Sequence, residues 1–388
     1  MDSRFSQRIK KLTDSTVEKT LKLASKPEVI SLAGGIPNAD LFPLKEIDRI
    51  LSRLIKKQGK QVLQYNQTAG LPKLRELIAD WYFAKWQKKV ESDQVLITTG
   101  SQQGLDLLGK AFLDKDDEIV VEDPTYLVAI NAFNGYEVRY ETVKLNNNGI
   151  DVGQLEGVLT KKTKFIYCVP TFQNPSGVTW SEKVRDDVVK LIKKNNIYLV
   201  EDDPYSELYF DERPPMNLAG DDHQELVIYL GTFSKTFCPG LRVGYVIASK
   251  EIIKKLTLIK QGMDLHSPTL SQAIIYEYLK DKKNFNIHLK KIRDYYKDQC
   301  RHMLLCLEKY LQGKADWIEP KGGLFIWLTI KGIDCRKLYM RAVDAGLAFM
   351  PGYPFYASQP KDSTLRLTFA TVSKMKIEKG IKILSEII

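Results

Sequence analysis

The chain has 388 residues and 44.4 kDa, with 44% hydrophobic and 27% charged residues; this excludes a disordered tail, and the length exceeds what one core usually holds. A formal charge of +10 and a pI near 9.0 raise nucleic acid or an anionic membrane as partners, but the lysines are dispersed in pairs such as Lys56-Lys57 and Lys193-Lys194, without a basic block or stacked aromatics, which argues against both. Five cysteines without CxxC spacing, four scattered histidines, no apolar run long enough to span a bilayer and a start without an apolar signal core predict a cytoplasmic address and no metal site.

Residues 1 to about 40 read as an N-terminal arm, charged and weakly helical at first, then reaching Gly34-Gly35-Ile36-Pro37, where backbone can turn tightly or approach a ligand. Leu63-Gln64-Tyr65-Asn66 and Gly70-Leu71-Pro72 precede a helical stretch to about Lys85, in which Leu74, Leu77, Ile78 and Trp81 recur at three and four residues. From Gln94 onward short β-rich runs alternate with helical ones. Strands are predicted over 95–99, 118–122, 165–169 and 197–201, and helices over 102–113 and 181–195. Such alternation implies an α/β protein with a mostly parallel sheet covered by helices, and ligands on such sheets gather at the carboxyl ends of the strands.

Four motifs fall at such ends. Gly100-Ser101-Gln102-Gln103-Gly104 opens a helix, where free N–H groups and the helix dipole favour a phosphate. Glu122-Asp123-Pro124-Thr125-Tyr126 offers an aromatic, Asn174-Pro175-Ser176-Gly177 a turn, and Glu201-Asp202-Asp203-Pro204-Tyr205 a row of carboxylates. A fifth stretch organises the rest. An apolar run over 226–230 ends at Gly231, Thr232-Phe233-Ser234-Lys235 follows, and a second apolar run begins after Pro239-Gly240. A lysine at a buried loop mouth loses solvation and is driven toward the neutral amine that attacks an aldehyde to form a Schiff base. Thr232, Ser234 and Arg242 suit a phosphate dianion. A lysine that condenses with an aldehyde beside a phosphate cradle points to pyridoxal phosphate (PLP).

Helices over 251–262 and from Ser267 close a large domain over 41–285. A long helix over 286–311, with Leu289, Ile292, Tyr296, Met303 and Leu307 on one face, begins a small α+β domain over 286–388. Its strands are predicted over 321–327 and 365–369, with Arg366 between two leucines and therefore facing away from them.

Ser234-Lys235 with Arg242 seven residues on, framed by Gly240 and Gly244, closely resembles the PLP-lysine segment of fold-type I aminotransferases of class I. The other motifs match that family in order over nearly the whole chain, nearest to its aminoadipate, kynurenine and aromatic aminotransferases. The resemblance implies a homodimer whose sites are shared between subunits. It gives Lys235 the cofactor and the proton transfer, Asp202 the pyridine nitrogen, and Tyr205 and Asn174 the phenolic oxygen. Tyr126 would stack on the ring, and Ser101, Gln102, Thr232, Ser234 and Arg242 would hold the phosphate, joined by Tyr65 of the neighbouring subunit. Gly35, Asn174 and Arg366 would meet the substrate, an L-amino acid or a 2-oxo acid such as 2-oxoglutarate. Asp203 is left as a bystander. Two rivals share the fold: another PLP chemistry such as β-elimination or decarboxylation, and a transcription regulator, which needs a DNA-binding module of roughly 60 residues or more where about 30 precede Ile30. One departure stands out. The family's N-terminal arm commonly carries an arginine toward an acidic or keto-acid side chain, and the ungapped position here is Glu18.

Overall fold

Runs such as Ile119-Val120-Val121 and Leu199-Val200, apolar at every position, suit strands buried on both faces, and all five residues are at most 1% exposed. The computed structural model describes residue 4 and residues 28–222 and 225–388. In chain order the strands are β1 (Ile30–Ser31), β2 (Val95–Thr98), β3 (Glu118–Asp123), β4 (Arg139–Asn146), β5 (Gly149–Ile150), β6 (Thr163–Cys168), β7 (Tyr198–Asp203), β8 (Val227–Thr232), β9 (Gly244–Ile247), β10 (Asp316–Trp317), β11 (Phe325–Thr329), β12 (Leu347–Ala348), β13 (Met350–Pro351) and β14 (Thr364–Thr368).

Eight of them form the central sheet in the order β2-β9-β8-β7-β6-β3-β4-β5. The pairs β3/β4, β3/β6, β6/β7 and β7/β8 are parallel, whereas β9 runs against both its neighbours and β5 against β4. Helices Ser101–Phe112 and Leu218–Asp221 pack on β8, and helix Pro72–Trp86 on β2. A second sheet, antiparallel in the order β10-β11-β14-β13, lies in the C-terminal part. The arm joins it. β1 pairs parallel with β12, the Leu32 carbonyl accepts from the Thr368 N–H at 2.9 Å, and the segment thereby carries Gly34-Gly35 inward. Among the described residues no helix is long and apolar enough to cross a membrane.

Several boundaries differ from the sequence pattern for identifiable reasons. The strand expected over 95–99 stops at Thr98, and the helix expected from Gln102 starts at Ser101, because Gly100 sits between them at φ +80°. The second run around the lysine segment becomes a strand only at Gly244. Pro239–Leu241 form a 3-10 turn, and Arg242 takes φ +53°. The long helix is Lys282–Leu311, four residues longer at its start than its apolar face suggests, because Asp281 caps it by accepting from the Asn284 N–H at 3.1 Å. The expected domain limit at 285/286 therefore falls inside one helix. Helices Leu44–Val62 and Leu127–Asn134 and strand β4 have no counterpart in the sequence reading.

Candidate active site

Six strands of the large sheet run one way, so their carboxyl ends open on one side, where a single pocket is lined by Gly35, Ser101, Gln102, Tyr126, Asn174, Asp202, Tyr205, Thr232, Ser234, Lys235, Arg242 and Arg366. The lysine comes from the loop after β8. Its Nζ donates to the Gly35 carbonyl at 2.7 Å, which ties the loop to the arm. Burial lowers its pKa to about 8, and the charges of Arg366 and Arg242 push the same way. Lys235 therefore holds far more free amine near neutral pH than an exposed lysine does.

Asp202, at 2% exposure, faces the same pocket from β7. Its Oδ2 accepts from the Tyr167 hydroxyl at 2.9 Å, while Oδ1 is buried without a partner. Burial raises the carboxyl to about 7; the Tyr167 hydrogen bond opposes the rise and the negative charge of Asp203 adds to it. An unpaired buried carboxylate oxygen costs free energy unless a donor meets it, and the protonated nitrogen of a pyridine ring is such a donor. The residues present fit PLP at this point.

They also fit its phosphate. Helix Ser101–Phe112 begins without a side-chain cap, leaving first-turn N–H groups for an anion. Thr232 Oγ1 and Ser234 Oγ lie 3.1 Å apart beside it. Arg242 packs so closely on the helix start that a Cβ at Gly100 would collide with its guanidinium, and one at Gly244 would stand 2.6 Å from the Ser101 nitrogen. The two glycines are what let the three segments converge.

The opposite wall presents a buried cation. Arg366 is 4% exposed on β14, with Nη1 donating to Asn174 Oδ1 at 2.6 Å and Nη2 to the Ala33 carbonyl at 2.7 Å. Its Nε is buried with no partner. The guanidinium lies over Phe325 at 4.2 Å and Phe355 at 5.1 Å. Burial lowers its pKa to about 10, opposed by Tyr205 and Tyr126, so it remains a cation at neutral pH. Tyr205 is 4% exposed and bonded to Asn174, and burial pushes its phenol strongly up. Tyr126 is pushed to about 12 by burial, with Asp202 adding to it. Both phenols stay protonated. Asn174 is aimed by its neighbour: Gln173 donates to Glu122 Oε2 at 2.9 Å and to the Pro124 carbonyl at 2.8 Å, which fixes the turn.

Tyr65 is the one named residue that does not join this pocket. It is 78% exposed, with its ring edge-on to His266 at 5.8 Å. Glu18 lies outside the described residues. Five residues given no role by the sequence contribute as well. Tyr167 holds Asp202, and Ile36, Leu127, Val128 and Met350 add apolar lining. Met350 stands directly across from Arg366 in the β13/β14 register, a juxtaposition no local pattern announces. Asp203 is 5% exposed and bonded on the far face of the sheet.

The family model for aminotransferases of class I and II matches residues 27–384. Among curated relatives, the aromatic-amino-acid aminotransferase 1 of Thermococcus litoralis is 39% identical over 99% of this chain and 94% of its own length. A 2-aminoadipate transaminase of Thermus thermophilus is 38% identical over 97% and 94%. Among solved structures, a kynurenine aminotransferase of Pyrococcus horikoshii in complex with PMP superposes with a TM-score of 0.95 at 40% identity, covering 99% of this chain and 96% of that one.

Proposed function

This chain belongs to the class I and II aminotransferases and is a PLP-dependent aminotransferase of the fold-type I architecture; from that premise we propose that it moves the amino group of an apolar, aromatic or basic L-amino acid to 2-oxoglutarate, as a homodimer in a reducing cytoplasm. What carries the reading is one pocket that joins an amine lowered to about 8, at Lys235, to the unpaired Nε of a buried arginine, at Arg366. The five cysteines are all free and buried, which suits the compartment.

When bound, PLP supplies an aldehyde that takes up amines and a ring that withdraws electrons from the substrate's α-carbon. The chain's residues would divide the rest of the work. Lys235 Nζ moves the proton to and from the α-carbon as general base and acid. Asp202 would keep the ring nitrogen protonated, with Tyr167 orienting the carboxyl. Tyr205 and Asn174 hold the phenolic oxygen, and Tyr126 covers the ring face. Ser101, Gln102, Thr232, Ser234 and Arg242 hold the phosphate. Arg366, with Asn174 and the Gly35 backbone, fixes the α-carboxylate and so selects which α-carbon bond is aligned for cleavage.

The donor preference rests on the apolar lining by Ile36, Leu127, Val128 and Met350 and on Glu18, a carboxylate where relatives commonly place an arginine. Replacing a cation by an anion near a substrate carboxylate costs on the order of 1–3 kcal/mol, or one to two decades of specificity. The test is a half-reaction screen that follows the visible absorbance of bound cofactor as each amino acid is added. Phenylalanine, leucine and lysine are expected to react better than 2-aminoadipate. A kcat/KM for 2-aminoadipate about tenfold above all three would overturn the preference, and no reaction with any amino acid would overturn the function.

Shared sites follow from Tyr65, whose exposed ring would reach the partner's phosphate. Tyr65→Phe is expected to loosen PLP. Mixing it with Lys235→Ala subunits should restore activity, because some mixed dimers regain one site carrying both native residues. Mixtures no more active than Tyr65→Phe diluted to the same extent would show that each site is complete within one chain.

A further inference from the structure

Asp203 follows Asp202 on β7, and strand alternation turns the two carboxylates to opposite faces of the sheet. Asp202 lines the pocket; Asp203 points into a polar layer behind it. Its Oδ1 accepts from the Ser206 N–H at 2.9 Å, and its Oδ2 accepts from Asn217 Nδ2 at 2.9 Å and from the Tyr229 hydroxyl at 2.7 Å. Burial opposes ionisation here, but Lys85 and these three donors outweigh it and hold the carboxyl below its ordinary value.

A charge at one end orders the protons of everything joined to it. Tyr229 gives its single hydroxyl proton to Asp203, so its oxygen accepts from the Tyr82 hydroxyl at 2.8 Å, and Tyr82 in turn accepts from the Tyr245 hydroxyl at 2.6 Å. The members stand on β7, β8, helix Pro72–Trp86 and β9. Tyr245 lies against Gly231, where a Cβ would collide with its ring, and 5.3 Å from Phe233. Gly231 and Phe233 flank Thr232, and Phe233 immediately precedes Ser234-Lys235. Gly244, next to Tyr245, touches the Ser101 backbone. The chain of hydroxyls therefore joins, from behind, the strand ends that present Asp202, Lys235 and Arg242.

We propose that Asp203 and the hydroxyls of Tyr229, Tyr82 and Tyr245 are positioning groups for the reaction: they clamp the ends of β7, β8 and β9 in one register and keep a fixed negative charge behind Asp202. Other charges face this layer. Lys85 on helix Pro72–Trp86 pairs with Glu207 at 3.5 Å, and Glu201 on β7 pairs with the buried Arg185 at 3.7 Å. Glu207 also pairs with Arg293 at 2.8 Å, and among these groups Asp203 is the one that accepts from the hydroxyl chain, with Lys85 helping to keep it ionised. Asn217 bridges Glu201 and Asp203.

The inference rests on the pocket's reading as a transaminase site, and wild-type turnover is the control that separates a failure of one from a failure of the other. Holoenzymes of Asp203→Asn, Tyr229→Phe and Tyr82→Phe are compared with wild type for kcat, KM and the pH titration of the visible band of bound cofactor. Asp203→Asn keeps the shape, removes the charge and puts a donor where Oδ2 accepted from both Tyr229 and Asn217, which reverses the hydroxyl chain. Its kcat is expected to fall about tenfold with KM little changed, as misplacement of reacting groups requires. Its titration midpoint should move to lower pH by about half a unit to one unit, because the protonated form loses a nearby anion. Tyr229→Phe and Tyr82→Phe keep the charge, so kcat should fall several-fold with the midpoint unmoved. Wild-type kcat and midpoint in Asp203→Asn would overturn the proposal even if its Tm dropped. Should that variant fail to fold, wild-type kcat in both tyrosine variants would overturn it.

Discussion

Lys235→Ala is expected to leave a folded protein with turnover reduced by about a thousandfold or more, the order that loss of a positioned acid-base group produces, and with cofactor held only by the surrounding cradle. The side chain donates to the Gly35 carbonyl at 2.7 Å, so its removal also frees the arm from the loop after β8. Steady-state transamination and retention of PLP through gel filtration measure both effects. Undiminished turnover would end the assignment. An exogenous small amine should restore part of the rate, because what is missing is a base at one place. The same lysine gives a pH dependence in the native chain. Its pKa, lowered to about 8, places the free amine above that value and the inert ammonium below it. The rate at which cofactor-stripped protein takes up PLP should therefore climb about tenfold per pH unit below about 8 and level off above it. A midpoint near the ordinary lysine value would show that burial does not act on Nζ as described.

Arg366→Lys should cost about a hundredfold to a thousandfold in kcat/KM for amino acids, with more of the loss in KM than in kcat, since the contact is made in the bound substrate as well as in the transition state. The guanidinium is held on two sides by Asn174 and Ala33 and over two phenyl rings, which leaves Nε pointing free. A lysine cannot hold Asn174 and Ala33 and still present a planar pair of donors. The buried Asn174 Oδ1 would also lose its 2.6 Å partner, and an orphaned buried acceptor adds about 1–3 kcal/mol to the cost. Comparing phenylalanine with phenethylamine isolates the contact. The wild type should prefer the acid strongly and Arg366→Lys far less. An unchanged preference would remove Arg366 from the carboxylate's site.

Ser101, Asn174, Asp202, Tyr205 and Lys235 fall in motifs that follow runs reading as strands, and the ends of parallel strands are where such a sheet gathers ligands; their individual roles came from the family resemblance, as did that of Arg242. The alternation of runs sufficed for the fold class. Boundaries were less legible where backbone at positive φ interrupted the pattern, at Gly100 and Arg242. Arg366 shows the limit well. Alternation told which way it faces, but a lone arginine between leucines has no marker of burial, and only β11, β13 and the arm, packed around it, make it 4% exposed. Its partners Asn174 and Ala33 lie 192 and 333 residues away in sequence.

Asp203 meets the same limit. Three adjacent carboxylates look like a solvated cluster in one dimension, and whether each is paired depends on Tyr229, Asn217 and Arg185, which no spacing rule connects to it. The sequence by itself determined where strand runs end in polar, turn-rich motifs, because side-chain alternation and turn residues act over a few positions. Only the tertiary structure decided which of those groups are buried, unpaired or charged, because desolvation and hydrogen-bond satisfaction are properties of neighbours in space.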